Sequence, residues 1–199
     1  MQGNGHDPGV GEQARLPVGT RAVLLVEGLS DQAAVEALAR RRDRDLEAEG
    51  VAVLPMGGAQ AIGRFLGSYG PKGLDVVLAG LCDSGEEADF RRGLERAGLG
   101  SDLSREDMEG LGFYVCVEDL EDELVRSLGT TVVEEIIGAQ GELASFRTFQ
   151  KQLEKRGLSL QEQLHGFMWN RKIRYAPVLV DALELTRVPR PLDLVLTRV

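Results

Sequence analysis

LLVEGLSDQAAVEAL, residues 24–38, joins an apolar run to an amphipathic one and places an acid on each side of the join. Leu24, Leu25 and Val26 read as the end of a buried strand, while Ala34, Val35, Leu38 and Ala39 share one face of a helix running from Asp31 to about Leu46. Glu27 thus closes a strand directly before Gly28. Asp31 follows one helical turn later, and Ser30 or Asp31 is suited to cap that helix.

The same punctuation recurs along the chain. Four short Val/Leu/Ala-rich runs, Ala22–Val26, Val51–Pro55, Asp75–Leu81 and Phe113–Val117, are nearly continuous in apolar character, as strands covered on both faces are. MGGAQAIGRFLGSYG after the second run reads as a glycine turn and a short helix. DSGEEADFRRGLERAGLG after the third reads as a helix closed by glycine. Strand alternating with helix predicts an α/β fold with a four-stranded parallel sheet and right-handed crossovers. Past Val117 the pattern is helical only, over Leu120–Leu128, Thr131–Gln140, Ser145–Arg156, Leu160–Trp169 and Lys172–Leu185. The expected organisation is a loose Gly-rich leader over 1–20, the α/β domain over 21–128 and an all-α C-terminal extension over 129–199.

Composition narrows the class. The chain has 199 residues, 43% hydrophobic and 28% charged, and no apolar run approaches the roughly 20 residues that cross a bilayer. Cys82 and Cys116 each sit inside an apolar run without zinc-like spacing, which predicts buried thiols and fits a reducing cytoplasm. Only two histidines occur, His6 in the leader and His165 on a predicted helix, so chemistry built on a histidine pair is not expected. Charge is uneven: 27 acids against 13 bases up to Ala144, then 5 against 10 from Ser145. Either both parts are merely solvated surfaces, or an acidic body binds cations beside a basic part that attracts phosphate.

Side chains at the carboxyl ends of parallel strands share one crevice. There the first strand delivers Glu27, with Asp31 beyond it. The third runs into Cys82-Asp83-Ser84-Gly85-Glu86-Glu87, and the fourth into Glu118-Asp119-Leu120-Glu121-Asp122-Glu123. Converging carboxylates repel unless a cation neutralises them, and an oxygen-only set favours Mg²⁺ or Mn²⁺ over zinc. Helix N-termini account equally for Glu86, Glu87, Glu118 and Asp119, because acids are favoured there. They do not account for Glu27 or Asp83, which end buried runs.

LLVEGLSD, a second strand ending in PMGG, then LAGLCDSGEE resembles the TOPRIM domain of topoisomerases, primases and OLD-family nucleases, the OLD-type version above all and small free-standing TOPRIM nucleotidyl transferase/hydrolase proteins. The resemblance covers about Arg21 to Leu128. It implies a Rossmann-like TOPRIM fold and one or two Mg²⁺ or Mn²⁺ ions serving strand cleavage or nucleotidyl transfer, with DNA placed before RNA as partner and a setting in DNA repair or phage defence. Carried over by position, Glu27, Asp83 and Lys172 are the catalytic candidates. Glu27, Asp31, Asp83, Glu86, Glu87 and Glu121 are the metal candidates, Glu86 or Glu87 replacing an aspartate whose place is taken by Gly85. A separate ATPase or a second copy of the chain is compatible as a partner, although no residue demands either.

The basic residues Arg171, Lys172 and Arg174, with Arg147, Lys151, Lys155 and Arg156, offer a nucleic-acid grip, and Arg40-Arg41-Arg42 offers a second. Gly57-Gly58 is followed by no Gly-Lys-Ser/Thr, so it is no P-loop and reads as a tight turn. The competing expectation is a non-catalytic module that binds metal with nucleotide or nucleic acid, turnover having been lost with the acid at Gly85.

Overall fold

The computed structural model describes residues 16–199; most of the expected leader, residues 1–15, lies outside them. In chain order the elements are β1 (Ala22–Val26), α1 (Leu29–Arg41), β2 (Val51–Pro55), α2 (Ile62–Tyr69), β3 (Val77–Cys82), α3 (Glu87–Ala97), α4 (Arg105–Gly110) and β4 (Phe113–Val115). The helical run follows as α5 (Leu120–Leu128), α6 (Thr130–Ala139), α7 (Leu143–Gln150), α8 (Leu160–Met168), α9 (Lys172–Ala182) and α10 (Arg190–Arg198).

The sheet order is β2-β1-β3-β4 with every pairing parallel, Val26 opposite Pro55, Leu25 opposite Gly80 and Cys82 opposite Val115. Alternation along β1 divides the core. Ala22, Leu24 and Val26 face a layer containing α1 and the C-terminal helices, whereas Val23 and Leu25 face the layer of α2, α3 and α4. Each strand is therefore covered on both sides, which is why it reads as unbroken apolar sequence. The helices beyond residue 129 are part of this core, since Val133, Phe146, Leu164, Tyr175 and Leu192 are buried with β1 and α1. Cys82 and Cys116 are buried free thiols, as expected.

Three sequence expectations change. Helix α1 begins with Gly28 as its N-cap, and the Asp31 carboxylate accepts the Gly28 N–H at 2.9 Å, so neither Ser30 nor Asp31 is the cap itself. The helix also stops at Arg41, five residues short of Leu46, where Asp43 takes a left-handed conformation (φ 56°). Beyond that stop the arginines anchor the C-terminal helices. Arg41 donates to the Val180 carbonyl (2.6 Å), Arg42 pairs with Asp193 (2.5 Å), and Arg44 donates to the carbonyls of Leu196 and Val199 (2.6 and 2.8 Å). Two of the three arginines expected as a second basic grip, Arg41 and Arg42, are thus engaged with the C-terminal helices.

Helices α4 and α10 were not expected. The first is announced by a Ser104-x-x-Asp107 capping box, whose reciprocal bonds measure 3.1 and 2.8 Å, and the second starts with Pro191 in its first turn.

Candidate metal centre at the strand tips

β1 and β3 are neighbours, so their carboxyl ends deliver Glu27 and Asp83 to one edge. The Asp83 N–H donates to Glu27 Oε1 at 2.8 Å, tying the two tips together. A single 3-10 turn, Ser84–Glu86, then brings Glu86 back over the same point. Carboxylate oxygens of Glu27, Asp83 and Glu86 all lie within 4.8 Å of one another. Glu86 thus arrives from the position directly after Gly85.

Glu87 does not join them. Its carboxylate is held by Arg91 and Arg105, and the hydrogen bond from Arg105, with the positive charges of both, depresses its pKa. The Gly57-Gly58 turn closes the other flank, and both N–H groups donate to the Glu27 main-chain carbonyl at 3.0 and 3.1 Å. With φ of 76° and 120° these two positions favour glycine, and their N–H groups serve the strand tip instead of standing free for phosphate.

The cluster is short of positive charge. Burial, aided by Glu86 and Asp31, pushes the Glu27 carboxyl up to about 7. Burial and the charges of Glu27, Asp31 and Asp119 push Asp83 up to about 9, and burial with Glu121 pushes Asp31 up to about 6. Like charges in a partly dry site favour the protonated forms.

The acid run after β4 is organised differently. Asp119 (6% exposed) is the N-cap of α5 and accepts the Asp122 N–H at 2.8 Å. It also accepts from Lys172 Nζ at 2.8 Å and lies 2.7 Å from His165 Nε2. Burial raises its pKa, but the hydrogen bonds from His165 and Lys172 outweigh burial and hold the carboxyl far below the usual range. Glu123 accepts the Val117 N–H and pairs with Arg126, which also holds Asp122. Glu118 points outward.

Glu121 (1% exposed) places Oε2 2.8 Å from Lys172 Nζ, while its Oε1, also buried, has no hydrogen-bond partner. Burial disfavours the Lys172 ammonium, yet Glu121 and Asp119 more than compensate and raise its pKa. Sequence reasoning left Asp119 between a place at the acid-rich edge and a helix-start role, and left His165 unused. The contact joining those two spans 46 residues, and no local pattern announces it.

Residues 20–83 match the family described as overcoming lysogenization defect protein-like, TOPRIM domain. No curated protein matches the sequence. Among solved structures, the C-terminal region of the Xanthomonas campestris pv. campestris OLD protein superposes with a TM-score of 0.72 at 22% identity, over 90% of this chain and 91% of that one. The C-terminal region of the Burkholderia pseudomallei OLD protein gives 0.68 at 20% identity, over 90% and 96%. The chain therefore carries an OLD-like TOPRIM match over residues 20–83 on the fold of an OLD C-terminal region.

Proposed function

We propose that the protein carries out metal-dependent cleavage of a nucleic-acid phosphodiester, or nucleotidyl transfer, with DNA as its substrate and Mg²⁺ or Mn²⁺ as its ion. The observation that carries this reading is the convergence of Glu27, Asp83 and Glu86, three carboxylates from three separate chain positions within 4.8 Å. The donor set fits a hard dication: it is all oxygen, it lacks a cation of its own, and nearby Glu121 keeps a buried oxygen without a partner. Glu27, Asp83 and Glu86 would hold one ion, with Asp31 and Glu121 available to a second. When bound, such an ion supplies charge neutralisation at a phosphoryl oxygen and acidifies a water.

The chain's own residues do the rest. The Asp83 N–H fixes the Glu27 carboxylate in rotation, so the triad is preorganised. Lys172, kept as an ammonium by Asp119 and Glu121, is a hydrogen-bond donor and positive charge for phosphate rather than a base. His165 and the Asp122 N–H take further lone pairs of Asp119, which holds that carboxylate in place under the lysine.

A nuclease assay on single-stranded and duplex DNA and on RNA, with Mg²⁺ or Mn²⁺, tests the reading together with calorimetric Mn²⁺ binding. Glu27→Gln and Asp83→Asn should each abolish both signals. Mn²⁺ binding without cleavage of any substrate would leave the metal-binding module in place of the enzyme. No Mn²⁺ binding would overturn both.

A further inference from the structure

Trp169 is the sole tryptophan of the chain and is 59% exposed, although a side chain of this size is ordinarily well covered. It lies in a groove of about 670 Å³ lined by Leu29, Ser30, Trp169, Asn170, Ile173 and the residues Arg171, Lys172 and Arg174. Leu29 and Ile173 are exposed at 56% and 58%, so three large apolar side chains share one open face.

Two features of the groove bear on what fills it. The first is its connection to the acid cluster. Lys172 Nζ sits 4.5 Å from the centre of the Trp169 ring while bonding Asp119 and Glu121, and Leu29 and Ser30 immediately precede Asp31. The second is charge. Arg171 and Arg174 share one carboxylate, Glu142, and the groove lining itself carries three cations and no acid, in contrast to the acid-rich strand tips next to it. An apolar aromatic surface bordered by guanidinium and ammonium groups suits a ligand with flat π-faces strung on an anionic backbone. A paired duplex hides its base faces; a single strand presents them.

Resting on the reading of the acid cluster as a nucleic-acid site, we infer that Trp169, flanked by Leu29 and Ile173, stacks an unpaired nucleobase next to Lys172, so that the strand entering the site is single-stranded or frayed there. Stacking would place the adjoining phosphate towards the lysine. Double-stranded substrate would then have to open before it engages the groove.

The lone tryptophan makes the test direct. Fluorescence of the full chain is titrated, with Ca²⁺ as counter-ion, using a short oligothymidylate, an abasic phosphodiester strand of the same length and a blunt duplex. Saturable quenching by the oligothymidylate alone is expected. Because variants at Trp169 carry no tryptophan, their binding is read by anisotropy of dye-labelled strands: Trp169→Ala should bind the oligothymidylate about ten-fold more weakly, the scale of one lost base stack, and the abasic strand as well as wild type does. Trp169→Phe should stay within about two-fold, because a smaller ring still stacks. Equal quenching by the abasic strand, or unchanged oligothymidylate affinity in Trp169→Ala, would overturn the inference. So would a wild-type blue shift that grows with protein concentration alone, accompanied by an oligomer in light scattering that Trp169→Ala lacks, since that would make this face a contact between copies. Calorimetric Mn²⁺ binding keeps the two readings apart: quenching with no Mn²⁺ uptake refutes the metal centre and retains the groove.

Discussion

Two groups of acids meet at one edge of the sheet and behave in opposite ways. Glu27, Asp83 and Glu86, from the tips of β1 and β3, face one another with the first two pushed up towards protonation. Asp119, Glu121, Asp122 and Glu123, from the start of α5, are more deeply buried, yet they bring their own partners in Lys172, His165 and Arg126. Burial alone therefore does not decide protonation. Partners differ: the α5 group is paired with Lys172, His165 and Arg126, apart from one oxygen of Glu121, while Glu27, Asp83 and Glu86 form no ion pair among the described residues.

The largest break in this contrast comes from removing a strand-tip charge. Glu27→Gln keeps the Asp83 N–H acceptor and Asp83→Asn keeps the shape, so both should fold. Each should lower Mn²⁺ affinity by more than the roughly 100-fold that loss of a supporting residue costs. Both variants should also melt higher than wild type in EDTA at neutral pH, because a neutral amide escapes the cost of burying an acid among other acids; a lower melting temperature in both would refute the charge argument.

Acidity sharpens the contrast next. For Glu27, Asp31 and Asp83 the folded carboxyls reach about 7, 6 and 9 against ordinary values of 4.5, 3.8 and 3.8. The folded state retains protons that the unfolded chain has released, so their contribution falls as pH rises from about 4 to about 9. Asp119 has the reverse sign: its depressed pKa gives stability that is present above the ordinary value and lost as pH drops below it. Melting curves in EDTA should therefore decline through neutral pH and again in strong acid. Saturating Mn²⁺ should flatten the first decline and leave the second.

Lys172→Met tests the internally paired group. It strips Asp119 and Glu121 of their shared ammonium and should cost about 3 kcal/mol in denaturant unfolding, the scale of breaking a buried pair. The smallest effect belongs to Arg105→Ala. That partly exposed arginine restrains Glu87, so stability should change by about 0.5 kcal/mol and Mn²⁺ affinity should stay the same. A marked change in affinity would mean that Glu87 is a ligand held in reserve.

Much of this architecture was legible because strand tips are written locally. The bounds of β1 and β2 fell where apolar runs stop, and an acid directly after such a run has little reason to be there unless the edge uses it. Glu86 was visible as one of two neighbours, but choosing between it and Glu87 needed Arg91 and Arg105, one on the next turn and one 18 residues away. The α5 acids were harder, since as helix-start residues their local sequence has an ordinary explanation, and the partners of Asp119 and Glu121 lie on α8 and α9. The shortened α1 was missed because Arg41, Arg42 and Arg44 look like a solvated helix end until the last helices come back to meet them.

Helix α1 packs along α9, with Ala34, Ala37 and Leu38 buried in the same layer as Ala176, Leu179 and Val180. One of these rods starts beside Glu27 and Asp31 and the other starts at Lys172, so their small alanine contacts act as a caliper on the acid-lined edge. A bulkier side chain at Ala34 or Ala37 would spread its jaws, moving the ammonium off the acids from a distance while the sheet that sets Glu27 against Asp83 kept its register.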